Sequence, residues 1–139
     1  MIKSIMDAIA IRLHEVFGDE YKIYQNEVKQ GLKEPCFLIS LITTEKTPLL
    51  GMRSSMTIPF DIHYFPKNNE FECYTVSEKL MDELEQIKTI DGDLFNGTKM
   101  HGEVIDGVLH FFVNFNFTVL KTEEFDHMDD ISVSSNVKG

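Results

Sequence analysis

Residues 98–121 read TKMHGEVIDGVLHFFVNFNFTVLK, and this stretch decides the fold. Asp106-Gly107 stands between two extended runs, where an Asp-Gly pair is the strongest short-range signal for a two-residue hairpin turn. In the second run, alternate residues from Leu109 to Val119 are apolar and so face a core, while those between them, from His110 to Thr118, face outward. The pattern therefore predicts a long β-hairpin, residues 98–105 and 108–121, with Phe115 in the core.

Two segments outside the hairpin have the apolar spacing of amphipathic helices. The first ends before Gly18, and its apolar residues are Ile2, Ile5, Met6, Ile9, Leu13, Val16 and Phe17. The second follows Asn69, a candidate N-cap, and its apolar residues are Cys73, Val76, Leu80, Leu84 and Ile87. Each segment therefore has one apolar stripe that can pack against a sheet.

Three further stretches predict strands. In residues 36–42 the odd and the even positions, which face opposite sides of a strand, are both mainly apolar. This is typical of a central strand covered on both faces. Residues 56–65 alternate with a period of two, and Pro59 marks an edge position or a bulge because it cannot donate to a ladder. Residues 21–28 form a third, short strand. We therefore predict an α+β fold, a mostly antiparallel sheet of four to six strands with two helices packed on it.

The chain of 139 residues is predicted to form a single α+β domain over residues 1–121. From residue 122 to residue 139 the composition changes, because this segment holds five acidic residues and one lysine. We expect this acidic C-terminal extension to be flexible in the isolated subunit, since it cannot bury enough apolar area to offset the entropy of ordering it.

Charge and composition exclude several classes of protein. The formal net charge of −10 argues against sequence-specific nucleic-acid binding, because like charges repel the phosphates. The sequence contains neither a signal-peptide core nor an apolar run long enough to span a membrane. Cys36 and Cys73 cannot form a disulfide framework and, in a reducing compartment, are interpreted as small buried apolar groups.

The sequence lacks the motifs of catalysis. Its five histidines form no HExxH motif, and Asp91-Gly92-Asp93 is interpreted as a turn because the other ligands of a calcium loop are missing. His63 and His110 lie on the outward parity of two strands and would approach each other if those strands were neighbours. We interpret them as solvated or interfacial, and we predict no catalytic, cofactor or metal residues.

Apolar residues in positions without periodicity predict a contact surface. Residues 44–55 are interpreted as a loop, yet Leu49, Leu50 and Met52 follow one another closely there. Phe112 points to the outward side of its strand, where the other residues are polar. An aromatic side chain there is expected to be covered, either by a helix or by another subunit. The predicted interface residues are Pro48, Leu49, Leu50, Met52, Arg53 and Phe112. The alternative for the loop residues is burial in the core of the same subunit.

Three stretches together resemble a known family: EVKQGLKEPCF at 27–37, PFDIHYFP at 59–66 and DGVLHFFVN at 106–114. They are similar to the tail terminators of phages and defective prophages of Gram-positive bacteria. The resemblance implies a small α+β subunit, like the terminators of lambda-like tails, that forms a six-membered ring on the head-proximal end of the tail tube. Such a ring halts tube growth, and in contractile tails it also meets the last sheath ring. The family has no catalytic residues to carry over.

We therefore expect a structural subunit rather than an enzyme, made in the host bacterial cytoplasm and then incorporated into the virion or a phage-tail-like particle. Its expected partners are its own copies, the tail tube protein and, where present, sheath and neck proteins. The alternatives are another head-tail joining protein, a small cytoplasmic enzyme and a regulatory binding module. An enzyme should show a concave pocket with convergent polar groups and shifted pKa values, whereas a terminator should show a flat apolar patch.

Overall fold

The computed structural model describes residues 1–26, 31–49, 51–122 and 132–133. Its elements follow the order α1 (Ile2–Phe17), β1 (Lys22–Gln25), β2 (Cys36–Leu41), β3 (Glu45–Pro48), β4 (Arg53–Phe65), α2 (Phe71–Glu83), β5 (Gln86–Lys88), β6 (Leu94–Ile105), β7 (Val108–Thr122) and β8 (Ser132–Val133). The predicted α+β class, with two helices on a mixed sheet, is confirmed.

The sheet is built around β4 and β7. These two strands pair antiparallel from Arg53 opposite Leu120 to Tyr64 opposite Leu109, and the strand order is β1-β2-β4-β7-β6-β5. β3 pairs with the first residues of β4, beyond the end of β2, and β8 pairs with the end of β7. The pairing of β1 with β2 is parallel and the other strand pairs are antiparallel, among the strands that the structure describes.

The core lies between the sheet and the two helices. From α1 it takes Ile5, Met6, Ile9 and Leu13, and from α2 it takes Cys73, Val76 and Leu80. The inward residues Leu109, Phe111, Val113 and Phe115 of β7 are all buried, so the predicted alternation is confirmed from Leu109 to Phe115. Phe117, also predicted to face inward, is partly buried against the core. Phe60 and Phe115 pack edge to face across β4 and β7, with their ring centroids 6.1 Å apart.

Both cysteines are buried and free, as the sequence predicted. Burial is the main cause that raises the pKa of the Cys36 thiol to about 11, and burial also raises the pKa of Cys73. A thiol held in its neutral form behaves as a small apolar group.

The hairpin between β6 and β7 has the predicted two-residue turn. Asp106 and Gly107 have φ angles of 54° and 78°, and positive φ at both positions defines a type I′ turn. This turn matches the right-handed twist of the strands that it joins. From the turn, β6 and β7 pair in one register as far as His101 opposite Phe112, and the register shifts between His101 and Thr98.

Some of the predicted element boundaries were wrong. Residues 44–55 are not a loop, because Glu45–Pro48 forms β3 and pairs with Ser54–Thr57 of β4 in a hairpin. Neither arm alternates clearly between apolar and polar residues, so periodicity could not reveal the pairing. The strand predicted over residues 21–28 ends at Gln25. The second helix ends at Glu83, so the assignment of Ile87 to its apolar stripe was wrong, and Ile87 lies in β5. A strand of three residues is too short to show a period.

Pro59 occupies a position in β4 where a missing N–H costs little. Its carbonyl oxygen accepts a hydrogen bond of 3.0 Å from Ile42 N, just beyond the end of β2. The pairing of β4 with β2 ends at Phe60, and its pairing with β3 begins at Thr57. The proline therefore lies where one neighbouring strand replaces the other, which is locally an edge position as predicted.

The predicted C-terminal extension is described only in part. Thr122 is the last residue of β7, and Ser132 and Val133 pair with Thr122 and Lys121. The other residues of this segment lie outside the described part of the chain, so its expected flexibility stays a prediction.

Candidate functional site

The sheet has two different faces. Both helices pack on the face that carries the core residues, and the opposite face presents the outward residues of β4, β6 and β7. The strand register places His63 directly opposite His110 and Asp61 opposite Phe112, and it places His101 of β6 opposite Phe112 on the other side. The outer face therefore carries a cluster of imidazole, carboxylate and aromatic side chains near its centre.

Asp61, His63 and His110 form the centre of this cluster. Oδ2 of Asp61 lies 3.0 Å from Nε2 of His63 and 3.1 Å from Nδ1 of His110. The two imidazole rings meet edge to face at a centroid distance of 4.5 Å. The side chains of Asp61, His63 and His110 are 14%, 17% and 25% exposed, so the cluster is shielded from solvent but remains accessible.

The electrostatics of the cluster favour a charged carboxylate. Burial raises the pKa of Asp61, but the hydrogen bonds from His63 and His110 and their charges outweigh burial, so the pKa is lowered overall. Oδ1 of Asp61 and Nδ1 of His63 are buried and have no hydrogen-bond partner among the described residues. Two imidazole nitrogens and one carboxylate oxygen lie within 4.8 Å of one another, which is a donor set that can hold a metal ion.

Sequence reasoning found two members of this cluster and missed the third. Because β4 and β7 are direct neighbours, the condition for His63 and His110 to approach each other is met. Asp61 has the same outward parity as His63, two positions earlier on β4, and this spacing was the signal that could have identified it.

Phe112 lies flat between two imidazole rings. Its ring stacks against His101 at a centroid distance of 4.8 Å and against His110 at 6.4 Å. Both helices lie on the opposite face of the sheet, so the prediction that a helix covers Phe112 is wrong. Its alternative, that another subunit covers Phe112, stays a prediction. The two imidazoles explain part of its burial.

The second candidate site is the tip of the β3–β4 hairpin. Leu49 and Met52 are each 42% exposed, and Pro48 and Arg53 are exposed as well. The tip is held by a hydrogen bond of 2.8 Å from Leu49 N to Arg53 O, and Gly51 supplies a positive φ of 76°. Burial of Leu49 and Met52 in the core of their own subunit is therefore wrong, whereas Leu50 lies outside the described residues.

A third exposed apolar group lies at the start of α2 and was not found from the sequence. Phe71 is 71% exposed and Tyr74 is 50% exposed, and their rings are 5.9 Å apart. Both residues lie off the apolar stripe that α2 turns to the core, so a helical pattern gives them no role in packing.

A polar cleft of about 610 Å³ lies beside the start of α2, with Tyr64, Lys67, Asn68 and Glu72 in its wall. Burial raises the pKa of Glu72, but hydrogen bonds from Asn68 N, the Tyr64 hydroxyl and two other backbone N–H groups outweigh it, so the pKa is lowered overall. Burial and the hydrogen bond to Glu72 both raise the pKa of Tyr64. These shifts follow from the way Glu72 caps the helix, so they do not by themselves indicate catalysis.

The fold and its exposed groups are typical of a subunit that associates with other proteins. Apolar side chains lie on a hairpin tip and on a helix end, and the perturbed carboxyl in the cleft serves a helix cap. Comparison with known proteins agrees with this class. The sequence matches the family described as "Phage tail terminator protein" over residues 4–127, and the chain belongs to that family.

Membership confirms the resemblance to phage tail terminators and gives the chain a structural role in a phage tail. The family is one of structural proteins that act with other tail components in the virion. No match was found among curated proteins. Neither described helix has the length and apolar character required to cross a bilayer.

Proposed function

We propose that the chain assembles into a hexameric ring that caps the head-proximal end of the tail tube and ends tail growth. The observation that carries this proposal is the family match, which extends over residues 4–127 and so includes α1 from its third residue, α2 and β1 to β7. In this function the subunit acts without catalysis. Its partners are its own copies, the tail tube protein and, in a contractile tail, the sheath, with neck proteins on the head side.

The hairpin tip supports a contact role because its apolar side chains need a cover. Full burial of such a side chain contributes about 1.5–3 kcal/mol. Leu49 and Met52 are each 42% exposed, so covering the exposed part of each stabilises an assembly by about 0.6–1.3 kcal/mol. A ring supplies the same neighbouring surface to every subunit, so each tip would be covered in the same way. Pro48, Leu49, Leu50, Met52 and Arg53 are therefore proposed as contacts with a neighbouring subunit or the tube, and Phe112 as a contact on the outer sheet face.

Charge is consistent with this position in the particle. The formal net charge of −10 disfavours adhesion to DNA phosphates, and a ring through which DNA passes must not bind the DNA. Assembly takes place in the host cytoplasm, and it involves no membrane.

The test combines a double variant with electron microscopy of complete particles. Leu49→Asp with Met52→Asp places two charges on the hairpin tip, and Ile90→Asp is the matched control because Ile90 is 82% exposed in a different part of the surface. We expect the double variant to stay folded by circular dichroism, to lose the ring in light scattering and to yield tails of uncontrolled length. The control should give normal rings and normal tails.

Two results would contradict the proposal. Normal tail length with the double variant would show that the tip is not the contact. Labelled subunits found at the portal side of the particle, rather than at the tube end, would assign the chain to the neck or to head completion instead.

A further inference from the structure

We propose that Asp61, His63 and His110 form a binding site for one divalent transition-metal ion of the zinc type. The site would use one oxygen of Asp61, Nε2 of His63 and Nδ1 of His110, with a water molecule as the fourth ligand. This proposal replaces the sequence-based interpretation of the two histidines as merely solvated or interfacial, and it does not depend on the ring.

The spacing of the donor atoms suits a zinc ion. Zinc bonds of about 2.0–2.2 Å in tetrahedral geometry place neighbouring ligand atoms roughly 3.3 Å apart. Oδ2 of Asp61 already lies 3.0 Å and 3.1 Å from the two imidazole nitrogens, and the three donor atoms fall within 4.8 Å of one another. Small rotations of the side chains would therefore open the triangle enough to admit the ion.

The chemistry of the donors selects the type of metal. Imidazole nitrogen together with carboxylate oxygen suits zinc, copper, iron and nickel, whereas magnesium and calcium prefer sites built from oxygen ligands. Three protein ligands with one open position are typical of zinc sites that keep a bound water. The partial exposure of all three side chains leaves a path for the ion to enter.

Two features distinguish this cluster from an accidental surface pair. First, all three ligands stand on β4 and β7, the pair with the longest register in the sheet, so their backbone positions are fixed. Second, Oδ1 of Asp61 is buried and has no hydrogen-bond partner within the described part of the chain, and a buried oxygen of this kind requires an explanation such as an ion or a water. A metal ion bound to the carboxylate would supply one.

His14 and Asp19 provide a matched comparison elsewhere on the molecule. Nε2 of His14 lies 2.6 Å from Oδ1 of Asp19, but the two side chains are 58% and 90% exposed and no third ligand joins them in the described part of the chain. His101 is a second comparison, because it lies beside the cluster and stacks on Phe112 but is not among the three ligands.

The experiment uses the complete chain after removal of metal with a chelator. Zinc chloride is titrated by calorimetry with magnesium chloride as the comparison, and cobalt chloride is added in a parallel sample to record the absorption spectrum. We expect one equivalent of zinc, no saturable magnesium binding, and the intense visible bands of four-coordinate cobalt. Asp61→Asn, His63→Gln and His110→Gln should each lower zinc affinity at least about 100-fold, the upper end of what outer-shell partners contribute. His14→Gln and His101→Gln should bind zinc as the native chain does.

The proposal is overturned if the native chain takes up no zinc from a several-fold molar excess. It is also overturned if cobalt shows only the weak spectrum of the hydrated ion. The same holds if His14→Gln or His101→Gln abolishes zinc binding while the three ligand variants retain it. Circular dichroism identifies any variant that fails to fold, and the stoichiometry and the cobalt spectrum of the native chain then decide the question without the variants.

Discussion

The hydroxyl of Tyr64 donates a hydrogen bond of 3.0 Å to the carboxylate of Glu72, which joins the end of β4 to the first turn of α2. The same carboxylate accepts hydrogen bonds from the backbone N–H groups of Lys67, Asn68 and Asn69. The N-cap of α2 is Glu70, one residue after the Asn69 predicted from the sequence, and the side chain of Asn69 accepts a hydrogen bond of 2.9 Å from Phe71 N. Together these hydrogen bonds satisfy the backbone N–H groups in the turn before α2, and they fix how α2 leaves the sheet.

Removal of the charge on Glu72 is predicted to destabilise the fold at neutral pH. Glu72→Gln keeps the size of the side chain but weakens charge-assisted hydrogen bonds, so the free energy of unfolding should fall by about 1.5–3 kcal/mol at pH near 7. Urea unfolding measures the effect, and Glu78→Gln on the exposed side of α2 is the control.

The effect of Glu72 should depend on pH in a defined direction. Its pKa is lower in the folded than in the unfolded chain, so its stabilisation is fully present above the unfolded value of about 4.3 and is lost as the pH falls through the folded value. The difference between Glu72→Gln and the native chain should therefore shrink in acid. A difference that stays constant from neutral pH down to strong acid would rule out the charge as its cause.

Phe115→Ala is predicted to lower the free energy of unfolding by about 3–5 kcal/mol, because it removes a fully buried ring that packs against Phe60. Phe112→Ala is the matched control on the same strand, since Phe112 lies on the outer face and is only partly buried. Its effect should be clearly smaller in the same thermal or urea unfolding experiment. Equal effects of the two substitutions would mean that the two faces of β7 are not distinguished as the register requires.

These two phenylalanines show why much of the fold could be predicted. A period of two assigns Phe115 to the core and Phe112 to the outer face without knowledge of any neighbouring strand. The parallel pairing of β1 with β2 and the addition of β3 to β4 could not be predicted in this way, because they depend on contacts between distant segments. For the same reason, periodicity alone could not predict the whole cluster on the outer face. Asp61 becomes a partner of His110 only through the pairing of β4 with β7.

Gly97→Ala is predicted to destabilise the fold by about 1–3 kcal/mol through overpacking. A Cβ atom at this position would clash with the backbone oxygen of Leu84, while Gly97 N donates a hydrogen bond of 2.9 Å to Glu85 O. The glycine is therefore required for the close approach of β6 to the end of α2. Gly31→Ala is the control, because an added Cβ there meets nothing within 4 Å. If both variants unfold at the same urea concentration, the close approach at Gly97 has no energetic consequence.

The last prediction concerns Arg12, which joins the two helices. Its Nη1 donates a hydrogen bond of 2.8 Å to Glu83 O at the end of α2, and its Nη2 donates one of 3.1 Å to Gln86 O in β5. A lysine has a single ammonium group and cannot reproduce this planar fork, so Arg12→Lys should lose one of the two bonds. We expect the free energy of unfolding to fall by about 1.5–3 kcal/mol, the usual contribution of a hydrogen bond to a charged group.

Lys3→Arg is the control for this substitution, because Lys3 is exposed on the same helix and contacts Asp7 and Gln25 rather than the second helix. Amide hydrogen exchange distinguishes the proposed cause from a general loss of stability. Arg12 holds the carbonyl end of α2, so Arg12→Lys should speed amide exchange close to its contacts. The affected N–H groups are those of Leu84, which bonds to Leu80 O, and of Gly97, which bonds to Glu85 O. If exchange instead rises equally throughout the sheet, Arg12 stabilises the domain as a whole and not the junction between α2 and β5.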